Sequence, residues 1–334
     1  MKNAVYNQIH IKKCMNKLRR LKLRHLETFV EVARQSSISR AARVLNSSQP
    51  AVSRTIRELE TIVGRPLVEK DGRGIRISHY GEIFLRHAGS SLAAARNGLT
   101  AVSALTMTDG PPVRIGALPT VSATIVPAAV GKYLDAGMRS RLLIVTGENR
   151  VLLNQLRNGE LDLVMGRLPA PESMQGLSFE PLYKEEVVFA IRAGHPLHGQ
   201  SRISIAALDD YPVLVPSEAS IIRPFVDRLF IEQGITEPRH IIETVSDSFG
   251  RAFLRGGDAI WIISRGVVAA ELASGEFAAL PLDTSSTLGS VGLNIRTGGE
   301  LSPAAQFLAE LLRAEADAVT SRSSRALTAA KQPD

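Results

Sequence analysis

The sequence predicts an α/β chain in two parts: a small helical unit with a β-hairpin and a long helix, then a larger unit of two α/β lobes. Three observations predict this. Through the first hundred residues, apolar side chains recur at helical spacing, broken by turn residues and one glycine-rich hairpin. From Val113 onward, short β-branched runs alternate with helical stretches, the rhythm of a mostly parallel sheet. The charge divides at the same place: residues 1–105 carry 19 Lys and Arg against 7 Asp and Glu, a balance of +12, and the remainder carries 21 against 26, or −5.

Composition narrows the class. The 334 residues suffice for about two domains. With 44% hydrophobic and 22% charged residues, the chain reads as ordinary globular protein. No apolar run approaches the roughly 18 residues that would suggest a membrane span. The basic N-terminus is followed by no apolar segment, so no secretory signal is expected. Cys14 is the single cysteine, which excludes an intrachain disulfide or a multi-cysteine zinc site and fits a reducing cytoplasm. A basic first part beside an acidic second one points to a polyanion partner for the first alone; a solvated basic surface would give the same count.

Residues 1–22 carry Lys12, Lys13, Lys17, Arg19, Arg20 and Lys22 with little apolar periodicity, and are expected to form a disordered basic arm. Leu23, Leu26, Phe29, Val30 and Ala33 then build the stripe of a first helix. Ser36 and Ser37 break it and cap a short second helix with Ile38, Ala41, Ala42 and Leu45 inward. After a turn at Asn46 and Ser47, Ser48 caps a third helix with Pro50 in its first turn, a stripe of Val52, Ile56, Leu59 and Val63, and Gly64 as its stop. This is the pattern of a helix-turn-helix, although a plain three-helix bundle shares it. The third helix carries Ser48, Gln49, Pro50, Ser53, Arg54 and Arg57 at its start and on its polar face, residue types that read base edges and phosphates in a major groove. Residues 66–69 and Ile75–Ile77 read as hairpin strands around the turn Lys70-Asp71-Gly72-Arg73-Gly74. The result is a winged helix-turn-helix over 23–80, with Lys70, Arg73 and Arg76 available for phosphates or the minor groove.

A long linker helix follows over 81–106. Leu85, Ala88, Leu92, Ala95, Leu99 and Val102 alternate at spacings of three and four, the seam of a short coiled coil; packing on its own domain is the competing reading. A dimerising seam suits a helix-turn-helix, which usually reads two half-sites. Residues 106–112 (TMTDGPP) supply the breakers of a domain boundary.

The run LRHLETFVEVARQSSISRAARVLNSSQPAVSRTIRELETIVGRPLVEKDGRGIRIS resembles the N-terminal domain of LysR-type transcriptional regulators, with QPAVSRTIRELE the most specific part. The likeness covers roughly residues 23–315. Within the family, GRGIRISHYGEIFLRHAG, VRIGALPTVSATIVPAAV and ETVSDSFGRAF resemble activators of protocatechuate breakdown, in the β-ketoadipate pathway. The resemblance implies double-stranded promoter DNA as partner, a homo-oligomer (a dimer and then a tetramer) and a small-molecule inducer. It implies a carboxylic acid as that inducer, and no cofactor.

The second part, 112–318, reads as strand 113–118, helix from 125, strand 142–146, helix 150–157, strand 161–166, then a similar block from 186 and a last strand and helix at 291–296 and 302–317, with a disordered tail over 319–334. Two such lobes resemble a periplasmic-binding-protein-like effector domain. In open α/β sheets, ligands sit where strands end and helices begin. Those edges carry Pro119, Thr120, Ser122, Asn149, Arg150 and Arg167 on one lobe and Pro216, Ser217, Ile221, Arg223, Ser246 and Ser248 on the other. Hydroxyls, helix N-termini and guanidinium groups in one cleft favour an anion. Taken singly, each serine has an alternative reading as a helix cap and each arginine as a surface salt bridge. No catalytic role is expected: the nucleophile-elbow, P-loop, zincin and full dinucleotide-binding patterns are absent, and the seven histidines lack metal spacing. A LysR-type regulator sensing a sugar or amino acid is the main alternative; a solute-binding protein or α/β enzyme is a remote one.

Overall fold

In a computed structural model of the chain, residues 16–72, 74–104, 110–234 and 238–329 are described. The chain divides into two compact units, the first taking the chain up to Ser103 together with the short segment Arg157–Glu160, the second the rest.

The first unit is built on helices α1 (Leu23–Gln35), α2 (Ile38–Val44) and α3 (Gln49–Val63). Their boundaries are written in short polar residues. Ser36 leaves α1 with a left-handed φ of 47°, the Ser37 hydroxyl accepts from Arg40 N at 3.3 Å, and the Ser48 hydroxyl accepts from Ala51 N at 3.3 Å. Gly64, at φ 82°, ends α3 in the left-handed region, where glycine costs least. Leu26, Phe29, Val32, Ala41, Ala42, Val52, Ile56 and Leu59 form one buried cluster. Leu23, expected inward, is exposed; Val63 packs half-buried on the core as expected, and Ile62 beside it is buried as well. The hairpin pairs β1 (Val68–Asp71) with β2 (Gly74–Ile77) antiparallel. It is tied to α3 by Glu60, whose carboxylate accepts from Leu67 N and Val68 N at 2.8 and 3.1 Å. Helix α4 (His79–Ala104) starts hard against the hairpin: a Cβ on Gly81 would run into the Leu67 carbonyl, so only glycine fits.

Two expectations about the ends are corrected. Residues 16–20 of the supposed disordered arm are helical, and Lys17 Nζ donates to the Val63 carbonyl at 2.7 Å, a cation on the exposed C-terminal carbonyls of α3. Residues 1–15, and with them Cys14, lie outside the described residues. The terminal helix α11 (Pro303–Ala329) runs on through residues expected to be a tail, because Ala316 and Val319 continue its apolar stripe onto the sheet below.

The second unit holds two five-stranded sheets. The first lobe orders its strands β4-β3-β5-β12-β6, where β3 is Val113–Ala117, β4 Leu142–Thr146, β5 Leu163–Arg167, β6 Leu177–Glu185 and β12 Gly289–Arg296. Strands β3, β4 and β5 are parallel; β12 runs antiparallel between β5 and β6. Helix α5 (Pro119–Ser122), α6 (Ile125–Asp135) and α7 (Asn149–Arg157) connect them, with Ile115, Tyr133, Met165, Leu293 and Leu308 in the core of one face and Leu152, Leu156 and Val164 on the other. The second lobe orders β11-β7-β10-β8-β9, where β7 is Val187–Arg192, β8 Val213–Val215, β9 Ile241–Glu243, β10 Ile260–Ser264 and β11 Phe277–Ala279. Helix α8 (Arg223–Gln233) covers one face, while α9 (Asp247–Gly256) and α10 (Ala269–Ser274) cover the other. The chain crosses between lobes twice, from β6 to β7 and from β11 to β12, so the ends of β5, β10 and their following turns lie beside the crossovers.

Candidate DNA-reading surface and effector cavity

On the first unit, burial of Val52, Ile56, Leu59 and Ile62 leaves the opposite face of α3 to solvent. Gln49, Arg54 and Arg57 are exposed there and Ser53 is half-buried. The Gln49 carboxamide oxygen accepts from Ser39 Oγ at 3.1 Å, so α2 orients the first side chain of α3. Lys70 is exposed on the hairpin, while Arg76 is held by Glu69, with Nε and Nη2 at 3.0 and 2.7 Å from one carboxylate oxygen. Arg73 lies outside the described residues.

On the second unit, a cavity of about 780 Å³ opens where strands of both lobes give way to helices. Its walls are largely aliphatic: Leu118, Ile221, Ile222, Val245, Ile263 and Val267 line it. Polar groups enter from the chain turns after β3 (Pro119, Thr120, Ser122), after β4 (Thr146 to Asn149), at the end of β5 (Arg167), and across the cleft after β8, β9 and β10. An apolar volume with a few convergent polar groups is the ordinary make-up of a small-molecule site.

Arg167 is the unusual group. Its side chain is only 2% exposed, its guanidinium lies over the Phe225 ring with Cζ 4.2 Å from the centroid, and Nη2 donates to the Thr287 carbonyl. Nε and Nη1 are buried and have no hydrogen-bond partner among the described residues. Glycine at 289 makes this possible, since a Cβ there would collide with the guanidinium. Burial lowers the Arg167 pKa, while the nearby Glu185 and Tyr183 oppose that shift. Glu185 closes the crossover end. Its carboxylate accepts from Thr120 Oγ1 at 2.7 and 2.6 Å and from Gly266 N at 2.8 Å, joining α5 of one lobe to the turn after β10 of the other. Burial pushes its pKa up, against Thr120, the Gly266 amide, Arg167 and Arg265.

Family models match both units of the chain. Residues 23–82 match the helix-turn-helix of bacterial regulatory proteins of the lysR family, and residues 108–317 match the LysR substrate binding domain. The chain belongs to the LysR family of transcriptional regulators. It is 54% identical over 294 residues, 88% of this chain and 94% of the relative, to the HTH-type transcriptional regulator PcaQ of Agrobacterium fabrum. It is 34% identical, over 88% of this chain and 95% of the relative, to the uncharacterised regulator YdcI of Escherichia coli. Among solved structures it resembles ArgP of Mycobacterium tuberculosis, with a TM-score of 0.61 and 21% identity over 87% of this chain and 96% of that one. It also resembles a full-length OxyR variant of Pseudomonas aeruginosa, with a TM-score of 0.57 and 22% identity over 89% and 94%. These two support the fold.

In this LysR-type regulator, eight of the effector positions expected from sequence line the cavity: Pro119, Thr120, Ser122, Asn149, Arg167, Pro216, Ile221 and Ser248. Four do not. Arg223 is drawn away by Asp227 (2.6 Å) and Glu243 (2.7 Å), whose hydrogen bonds raise its pKa. Ser246 caps α9, accepting from Phe249 N at 3.3 Å. Arg150 is exposed on α7, and the Ser217 carbonyl closes a turn on Ser220 N at 2.9 Å. The sequence reading missed Arg251 and Arg255, which reach the cavity from the second and third turns of α9. Their places four and eight residues after Asp247, on one helix face, were the available signal. The α4 seam is split. Ala88 and Leu92 are buried, at 1% and 6% exposure, in the winged unit's own core, with Leu85 packed on it, whereas Leu99 and Val102 are 71% and 68% exposed. No helix among the described residues is long and apolar enough to cross a membrane.

Proposed function

We propose that this regulator activates genes of aromatic-acid breakdown, in the protocatechuate branch, when a multiply carboxylated catabolite binds between the lobes of its effector domain. Arg167 is the observation that carries the effector class. A buried guanidinium with two unpartnered N–H groups in an aliphatic cavity leaves donor capacity that a carboxylate satisfies, and burying polar groups unpaired is costly. The 54% identity with PcaQ supports the pathway. Among the described residues no aromatic side chain lines the cavity to stack a sugar ring, which disfavours the sugar alternative.

On DNA, α3 enters the major groove with Ser48 and Pro50 at its N-terminus near phosphate and Gln49, Ser53, Arg54 and Arg57 towards the base edges. Lys70 and Arg73 of the hairpin meet the backbone or minor groove, and Arg76 joins them by leaving Glu69. Two copies associate through the outer part of the α4 seam, Ala95, Leu99 and Val102, and dimers pair into tetramers. The protein acts in the cytoplasm.

The test is calorimetry of the full chain with 3-carboxymuconate, galactose and arginine, alongside footprints on its operator. Carboxymuconate alone should bind and should change the footprint. Binding of galactose or arginine instead overturns the acidic-effector reading.

A further inference from the structure

We propose that Arg251, on α9 of the second lobe, is a second carboxylate anchor of the cavity, so that the effector is gripped by one guanidinium from each lobe, Arg167 and Arg251. This rests on reading the cavity as an acid site, and names a subsite within it.

Helical spacing places Asp247, Ser248, Arg251 and Arg255 on one face of α9, and all four line the cavity. The two arginines are not equivalent. Arg255 is half exposed and gripped by both oxygens of Glu276, at 2.5 and 3.2 Å, which makes it a rim ion pair. Arg251 is more deeply set. Its Nε donates to Glu271 Oε1 at 2.6 Å and its Nη2 to the Val267 carbonyl, so the planar head is fixed in one orientation with Nη1 left over. Glu271 is itself buried, and its second oxygen has no partner among the described residues, so it acts as a buttress behind Arg251. A guanidinium carries five donors in a rigid fork. Two bonds to the protein hold it still, and a ligand carboxylate can take the remaining edge without paying to order the side chain.

The placement has a mechanical consequence. Arg167 ends β5 in the first lobe, and Arg251 stands on the helix after β9 in the second. One carboxylate satisfies one lobe. A ligand with two or more carboxylates spans both, and only such a ligand gains extra affinity for the arrangement that brings the two guanidiniums to its ends. A differential of this kind shifts the population of lobe arrangements; equal affinity for both shifts nothing.

The experiment uses the full-length chain, with protocatechuate as the monocarboxylate and 3-carboxymuconate as the tricarboxylate. Affinity is read by calorimetry and α9 movement by tryptophan fluorescence. Trp261 is the single tryptophan, and its ring packs so closely on α9 that a Cβ at Gly250 would lie 2.5 Å from it. Arg251→Gln should weaken the tricarboxylate tenfold or more, change the monocarboxylate less than about twofold, and abolish the fluorescence response. Arg251→Lys, which keeps the charge, should restore part of the preference and guards against a folding artefact. Arg167→Gln should weaken both acids. Equal loss for both acids in the Arg251 variants, or no loss, overturns the second anchor and leaves Arg167 in place. Failure of the wild-type chain to bind either acid overturns both the anchor and the acid-site reading beneath it.

Discussion

Arg54 and Arg76 carry the same charge and are both exposed, yet they differ in what they are free to do. Arg76 is engaged twice by Glu69, while Arg54 has no ion pair among the described residues and stands on the open face of α3. Arg54→Ala should therefore cost operator binding roughly 1–3 kcal/mol and random DNA much less. Anisotropy titrations on both duplexes check it, and equal losses would remove Arg54 from base reading. Lys70→Ala should weaken both duplexes alike and lower the salt slope by about one. Glu185 gives a residue-scale prediction of a different kind. Its folded pKa is raised by burial, so its contribution to stability is present at low pH and is lost as pH rises through the folded value. Glu185→Gln keeps an acceptor for the Gly266 amide and a partner for the Thr120 hydroxyl without the buried charge. Its melting temperature should exceed the wild-type value at pH 8, with the gain shrinking as pH falls towards 5. A gain that grows on acidification contradicts the assignment. Arginines show where sequence reading stops at this scale. Arg150, Arg167 and Arg223 all follow strands and looked alike, and only the fold reveals that one is buried with free donors, one is claimed by Asp227 and Glu243, and one is solvated.

At the scale of elements, helices were more legible than strands. Caps at Ser37, Ser48 and Gly64 and long apolar periods marked α1 to α3, because capping and amphipathicity are local properties. Strand β6 was missed. Its sequence, LSFEPLYKE, mixes charge and a proline, and it folds as a strand because it lies at a sheet edge, with the register slipping opposite Pro181. Short β11 and α10 were missed for want of length. Helix α4 shows two roles on one seam. A heptad pattern records that a helix is apolar on one side, and does not say whether its own domain or a second copy covers that side. The burial values divide the seam: Leu92 lies in the core of the winged unit, while Leu99 and Val102 are exposed, the part proposed above for association. Leu92→Asp should destabilise the winged unit by roughly 3–5 kcal/mol, seen as an early melting transition by circular dichroism. Leu99→Asp combined with Val102→Asp should leave that transition in place and shift sedimentation towards monomer. A double variant that sediments as the wild type would place the interface elsewhere.

At the scale of the whole molecule, the division of charge separates two binding events with different physics. Residues 1–105 hold the +12 excess, and the cations of the DNA-reading surface are exposed, so their attraction to phosphate is screened and proceeds by counterion release. The effector domain is net acidic and repels anions at long range, so under the proposed function a carboxylate is held there at short range by guanidiniums set into the cavity, the buried Arg167 first among them. Salt should tell the two apart. A dimer making about six to ten phosphate contacts should lose on the order of 10³-fold or more in DNA affinity between 50 and 200 mM salt. Over the same range, effector affinity should change by less than about threefold, because contacts at a buried guanidinium are screened far less than exposed ones. Filter binding for DNA and calorimetry for 3-carboxymuconate, on one preparation at the two ionic strengths, make the comparison direct. An effector affinity that falls as steeply as the DNA affinity would mean that exposed cations, and not Arg167, hold the acid.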